Sequence, residues 1–350
     1  MPKPENKATF VCEAEVTDGL EFVSEAELRK LGAEIIGKRA GEIDFRFSGN
    51  LQALLKLKTV QSVSVVQAFA VPRPRGLLDN THIRHILEQI EAVRKLSPSD
   101  SFQTFFLAAA GSDSSIMQRL KAVICEAAGL TMGDEKGDLW IRVRPSRVGE
   151  SSAPGWQVLI RLTPRPLVTR SWRVSSMEGA LNAATAHAMI WLTEPHDDDV
   201  FVNLGCGSGT LLIERIAHSR CQSISGMDNN LNNLRCAQAN LEASQHHKAV
   251  PLYAADLLRL PLRSASVSAL VADLPFGQLV GTHQENQCLY PAMLEEAARV
   301  AQTGAKFVLI THEIRLMESL LSQQEQWSLG QTIRVNLRGL HPRIYVLRRR

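Results

Sequence analysis

The residues best equipped for chemistry in this 350-residue chain are Asp273-Leu274-Pro275-Phe276, which follow the apolar run Leu270-Val271-Ala272 and precede Gly277. A carboxylate, a proline-stiffened turn and an aromatic ring in one loop suit a planar target that carries an exocyclic amine. Asp273 and the Leu274 carbonyl can accept both amine hydrogens, and Phe276 can stack on the ring. Held in this way, the nitrogen's weakly available lone pair faces a methyl donor. Such catalysis is mostly positioning and electrostatics.

A second constellation lies upstream, in Val202-Asn203-Leu204-Gly205-Cys206-Gly207-Ser208-Gly209-Thr210. The alternate glycines Gly205, Gly207 and Gly209 allow a tight strand-to-helix turn and close backbone approach to a ligand. Asn203, Cys206 and Thr210 share that loop. Asp228 stands 19 residues beyond Gly209, beside Asn229, at the end of the next strand. It can accept from ribose hydroxyls, a position common to nicotinamide and adenosylmethionine folds, or it can cap the helix Asn229 to Asn240. Asp256, next to Leu257, ends a third strand and can accept from an adenine amine or close a turn.

These groups need a frame that brings them to one edge. From about Ser175 the sequence alternates strands (Val200 to Leu204, Ser223 to Met227, Ala249 to Ala254, Val267 to Ala272, Lys306 to Thr311) with helical stretches. That order predicts a doubly wound parallel sheet, which binds ligands beyond the carboxyl ends of its strands. Thr332 to Leu337 and Arg343 to Leu347 read as a closing antiparallel pair. The first ~70 residues read β-α-β-β-α-β, a ferredoxin-like order. Within it, Asp18 and Glu21 form a capping-box-like start for a helix to Lys30. Pro72-Arg73-Pro74-Arg75-Gly76 reads as a linker. Beyond it, Thr81 to Leu96 and Ser114 to Ala128 read as helices, and Phe102 to Ala110, Asp138 to Arg144 and Gly155 to Pro164 as strands. The expected division is 1–72, 73–173 and 174–350.

With these motifs in register, the chain resembles the amino-directed class I S-adenosylmethionine methyltransferases, and more narrowly the THUMP-domain RNA guanine-N2 methyltransferases. The likeness includes Asp18-Gly19-Leu20-Glu21, Leu159-Ile160-Arg161-Leu162-Thr163-Pro164-Arg165-Pro166-Leu167, Gly179-Ala180-Leu181-Asn182-Ala183-Ala184-Thr185-Ala186 and Asp273-Leu274-Pro275-Phe276-Gly277. It implies an α/β Rossmann-like catalytic domain preceded by an α+β ferredoxin-like unit and a THUMP domain. It also implies S-adenosyl-L-methionine as cofactor, RNA (commonly the acceptor end of tRNA) as partner, and in some relatives a small activating subunit. Two departures stand out: Asn203 replaces the acid usual at that position, and Asn182-Ala183 lacks a proline often found there.

Charge and composition fit this frame. The net charge is +3 from 39 basic and 36 acidic residues, yet Trp140 to Arg173 holds seven arginines (Arg142, Arg144, Arg147, Arg161, Arg165, Arg170, Arg173) and one acid, Glu150. Such a window can hold phosphates that a near-neutral whole conceals. Trp140, Trp156 and Trp172 are core or base-stacking candidates, and His312-Glu313 can line the site. His246-His247 has no carboxylate or cysteine partner nearby, so no metal is expected. Six scattered cysteines without a C-x-x-C pair point to a reducing, cytoplasmic setting. No apolar run approaches the ~20 residues of a membrane-spanning helix, and no signal peptide is visible. Competing readings are an RNA-binding module without turnover, an amine methyltransferase on ribosomal or small nuclear RNA, DNA or protein glutamine, and a nicotinamide enzyme, which leaves Asp-Leu-Pro-Phe without a task.

Overall fold

The computed structural model describes residues 9–133, 135–147, 155–246, 250–275 and 282–350. The chain divides into two compact units. One holds the residues up to Val16 and Ser24–Val168; the other holds Thr17–Val23 and Thr169–Arg350.

The first unit contains β1 (Phe10–Val16), most of α1 (Glu21–Lys30), β2 (Glu34–Arg39), β3 (Glu42–Phe47), β4 (Val60–Phe69), α2 (Asn80–Arg94), β5 (Thr104–Ala109), α3 (Ser115–Ala128), β6 (Thr131–Met132), β7 (Leu139–Pro145) and β8 (Trp156–Arg161). They form one sheet in the order β2-β3-β1-β4-β8-β7-β5-β6. Helix α2 buries Ile86, Ile90 and Val93 on one face, and Asp79 caps it by accepting from the Thr81 N–H. Helix α3 buries Met117, Leu120 and Ile124, starts at the Ser114 cap and stops where Gly129 turns left-handed.

The expected boundary at 72/73 falls inside this sheet. Strand β4 pairs with β8 from Ser64 opposite Arg161 to Phe69 opposite Trp156. One apolar core runs from Cys12 to Leu162. The long-range β4–β8 pairing joins the two predicted domains, and the observed break comes at Val168 rather than at 173.

The second unit contains α4 (Ala183–Leu192), β9 (Val200–Leu204), α5 (Thr210–His218), β10 (Ser223–Asp228), α6 (Leu231–Ala243), β11 (Leu252–Ala254), β12 (Val267–Asp273), α7 (His283–Val300), β13 (Ala301–Thr311), α8 (Ile314–Gln323), β14 (Trp327–Arg334) and β15 (Arg343–Arg349). Its sheet runs β11-β10-β9-β12-β13-β15-β14. The first five strands are parallel, and β15 and β14 return antiparallel. The central strands β9 and β12 are near-continuous apolar runs, as a sheet covered on both faces requires. One core lies under α4, α5 and α6, the other under α7 and α8. Strand order reverses between β9 and β12, and open sheets of this kind bind ligands beyond the carboxyl ends of the strands at such a reversal.

The segment Thr17–Val23 belongs to this unit for a steric reason. Gly19 sits at φ +94° with the Arg334 carbonyl oxygen 2.0 Å from where a Cβ would stand. Only glycine fits both the backbone angle and that approach. The Asn336 N–H donates to the Asp18 carbonyl at 3.1 Å, and Leu20 and Val23 are buried in the unit's core. Helix α1 therefore begins at Glu21 rather than after Asp18, and the Glu21 carboxylate accepts from the Gly19 N–H at 2.9 Å.

Candidate active site

Strand β9 ends at Leu204, and Gly205, Gly207 and Gly209 all take positive φ before α5 starts at Thr210. At Gly209 the constraint is double: φ is +77°, and an added Cβ would stand 3.2 Å from Ala237 Cβ. Asp228, buried at the end of β10, organises the loop. Its Oδ2 accepts from the Gly207 N–H at 2.9 Å, and its Oδ1 accepts from the Asn230 N–H and the Asn233 side-chain amide. Asn230 caps α6, accepting from the Asn232 N–H, so Asp228 is not that helix's cap. Asn229 beside it is exposed.

Asn203 is fully buried at the head of the loop. Its amide nitrogen lies 3.3 Å from the carbonyls of Leu204 and Val271. Its Oδ1 is buried with no hydrogen-bond partner among the described residues. A buried acceptor left without a donor costs about 1–3 kcal/mol, and a ligand ammonium or a bridged water would satisfy it. Thr210 Oγ1 is bonded to Ser208 Oγ and receives the Arg173 guanidinium at 2.9 Å. Cys206 is buried, and burial raises its thiol far above the ordinary value, so it packs rather than reacts.

Asp256 is exposed, and its Oδ1 accepts from the Leu258 N–H at 2.9 Å. That makes it a turn-former whose second carboxylate oxygen meets no donor among the described residues. Leu257 is packed against the core, its Cδ1 3.8 Å from where a Cβ on Gly205 would stand. The two therefore flank the glycine loop from the end of β11.

Asp273 is the last residue of β12, and no donor reaches its carboxylate among the described residues. Burial pushes its pKa up to about 7. A buried carboxylate with a raised pKa at the carboxyl edge of such a sheet is a candidate functional group. The Leu274 N–H continues the sheet by donating to the Ile310 carbonyl at 3.0 Å, and Leu274 is buried. The Pro275 carbonyl accepts from Tyr290 Oη at 2.7 Å and from the Asn286 amide at 3.1 Å. Phe276 lies outside the described residues. Glu313 follows β13 as anticipated, with Oε2 2.8 Å from His283 Nδ1.

Sequence reasoning missed Asn286, Tyr290 and Asn240. Asn240 is a fully buried staple: its Oδ1 accepts from the Val174 and Ser175 N–H groups, and its amide donates to the Ser175 and Ser208 carbonyls. A polar residue at a buried helix position was the only signal for these.

The arginines are distributed differently from the expected patch. Arg142, Arg144, Arg147, Arg161 and Arg165 lie in the first unit, Arg170 and Arg173 in the second. Arg142 pairs with Glu15 at 2.9 Å, Arg144 with Glu13 at 2.6 Å and Arg147 with Glu42 at 2.6 Å. Glu13 is buried; burial raises its pKa, opposed by Arg144 and Arg147. Arg161 donates to the carbonyls of Thr163 and Pro164 and lies over the Trp140 ring. Arg170 is buried in an ion pair with Glu214 at 2.8 Å. Arg173, besides Thr210, donates to the Leu181 carbonyl. Arg165 is exposed. The positive window is thus answered by acids from β1, β3 and α5, and Arg170 is a core residue rather than a phosphate contact.

Comparison with known proteins agrees with this geometry. Residues 170–343 match the family described as UPF0020, RMKL-like, methyltransferase domain. The chain is 34% identical over 182 residues to tRNA (guanine(6)-N(2))-methyltransferase THUMP3 of Mus musculus, covering 48% of this chain and 36% of that protein. It is 20% identical over 215 residues to tRNA (guanine(6)-N2)-methyltransferase of Methanocaldococcus jannaschii, covering 51% and 56% respectively. The chain thus spans little more than a third of the mouse protein's length. TrmN from Thermus thermophilus shares the fold with a TM-score of 0.76 at 20% identity, over 98% of this chain and 100% of that one. The matched residues 170–343 carry every described residue of the site.

Proposed function

We propose that this chain is an S-adenosylmethionine-dependent RNA methyltransferase that forms N2-methylguanosine, with tRNA as its foremost substrate. The observation that carries the reading is Asp273: a carboxylate without a donor among the described residues, its pKa pushed by burial up to about 7, at the carboxyl end of β12 beside the reversal of strand order.

The residues present fit the cofactor. The Gly205–Gly209 backbone would lie along it, Asp228 would face the ribose diol, and the unpartnered Asn203 Oδ1 would take its ammonium. The open carboxylate oxygen of Asp256 would meet the adenine amine. When bound, S-adenosylmethionine supplies an electrophilic methyl group on a sulfonium. The chain does the rest by geometry. The Asp273 carboxylate and the Leu274 carbonyl accept the two hydrogens of the guanine amine, which aims its lone pair away from them. Attack makes the nitrogen cationic, and Asp273, poised near neutrality, accepts the proton it sheds. A paired guanosine must first leave its stack, at a cost of a few kcal/mol; Phe276 would stack on it there.

RNA contact is assigned to the first unit, with Arg165 an exposed cation within the arginine-rich window. A small activating subunit belongs to the proposal too, and Leu231, Tyr253 and Leu258, exposed near the sheet edge formed by β11, supply apolar surface for it. The six cysteines stand unpaired, which suits a reducing cytoplasm. The test is Asp273→Ala assayed for transfer to tRNA and for cofactor binding by calorimetry. Turnover should vanish while binding persists; equal loss of both would sink the role given to Asp273.

A further inference from the structure

We propose that Tyr290 and Asn286 are positioning residues for the amine-accepting turn: they clamp the Pro275 carbonyl and thereby fix the Leu274 carbonyl that receives a substrate N–H. The inference rests on the amine-transfer reading above and deepens it.

Asn286 and Tyr290 are four residues apart on α7, so they share a face, and both are fully buried. Tyr290 Oη lies 2.7 Å from the Pro275 carbonyl oxygen and 2.7 Å from Thr311 Oγ1. Thr311 Oγ1 in turn accepts from the Glu313 N–H at 2.9 Å. The polarity of this chain is forced. A backbone N–H can only donate and a carbonyl can only accept. The Glu313 N–H therefore donates to Thr311, Thr311 donates to Tyr290, and Tyr290 donates to Pro275. Burial, with the charges of Glu313 and Asp273, raises the Tyr290 pKa well above that of a free phenol, so the donor keeps its proton at all working pH. Consecutive bonds of one polarity strengthen each other.

Asn286 supplies the second donor. Its amide nitrogen lies 3.1 Å from the Pro275 carbonyl and 3.5 Å from Glu313 Oε1. Flipping the amide would set Oδ1 against both acceptors, so the network fixes its orientation. Two donors use both lone pairs of the Pro275 oxygen, leaving Asp273 and the Leu274 carbonyl as the turn's acceptors for substrate. The proline ring fixes φ at Pro275, and the clamp fixes its ψ. With the Leu274 N–H held on Ile310, the plane carrying the Leu274 carbonyl has no freedom left.

The test uses the full chain and three readouts: kcat on tRNA, cofactor Kd by calorimetry, and hydrogen exchange at the Leu274 amide. Tyr290→Phe removes one donor and almost no volume. It should lower kcat about 10–100-fold, since misplacement of this kind is costly, speed exchange at Leu274, and leave the cofactor Kd unchanged. Thr311→Ser keeps the hydroxyl relay and should retain wild-type kcat, whereas Thr311→Val should fall between. Wild-type kcat and exchange in Tyr290→Phe would overturn the proposal; so would a kcat loss matched by lost cofactor affinity. Should Tyr290→Phe not fold, equal kcat in Thr311→Ser and Thr311→Val overturns it. No transfer by the wild-type chain would defeat the amine-transfer reading instead, and exchange at Leu274 still decides the clamp.

Discussion

Replacing Asp273 by Asn should stabilise the protein while abolishing turnover, and the size of the gain follows from the site. Burial raises the Asp273 pKa from 3.8 to about 7. A group whose folded pKa is raised binds its proton more tightly when folded. The folded state is therefore favoured at low pH and loses stability as pH climbs from the unfolded pKa to the folded one. That rise corresponds to a ceiling of about 4 kcal/mol at pH values above 7. The residue as a whole is half-buried rather than fully buried, so about 2 kcal/mol is the expected share. Asparagine is near-isosteric and carries no charge to desolvate. Urea melts of both proteins near pH 8 should show the variant about 2 kcal/mol more stable, with the gap closing to under about 1 kcal/mol near pH 4. Wild-type kcat should rise with pH through about 7. A variant no more stable at pH 8 than the wild type, or a gap independent of pH, would refute the desolvation argument.

Other expectations follow from the same geometry. Asp228→Ala removes the acceptor for the Gly207 N–H and the candidate diol interaction; calorimetry should show cofactor affinity down by about 10–100-fold, since each hydrogen bond to a charged group carries about tenfold in affinity. Glu214→Gln removes the charge facing the buried Arg170 guanidinium and should cost about 3–5 kcal/mol in denaturant melts. Burial raises the Glu214 carboxyl, but His187 and Arg170 outweigh it and hold the pKa below the ordinary value. Its contribution is thus present above pH 4.5 and lost as pH falls through the lower folded value, so wild-type and variant melts should converge in acid. Arg165→Ala should weaken RNA binding and flatten its salt dependence without moving the melt, whereas Arg144→Ala should lower the melt, because Glu13 is 2% exposed and loses its nearest cation.

The catalytic half was legible because its signals are local. Apolar runs such as Val267–Asp273, and three glycines in five residues, mark parallel strands and a strand-to-helix turn within a short window. The signals that failed were long-range. Arg142, Arg144 and Arg147 read as a free positive strip because the acids that answer them lie about a hundred or more residues earlier, on β1 and β3. The pairing of β4 with β8 was hidden for the same reason: the two strands meet across an intervening helix pair. Asp18 and Glu21 promised a capping box, but the close approach of Gly19 to Arg334, also distant in sequence, set the helix start. Tyr290 and Asn286 reach the Pro275 carbonyl from α7, a helix whose polar inner face has no periodic signature.

The central proposal is that the site at Asp273 methylates the amine of a guanosine in RNA. The most direct test incubates the purified chain, as wild type and as Asp273→Ala, with tRNA and isotope-labelled S-adenosylmethionine, then digests the RNA for nucleoside mass spectrometry. Labelled N2-methylguanosine from the wild type and none from Asp273→Ala is the predicted result. Label in another nucleoside, or none from the wild type, would contradict it.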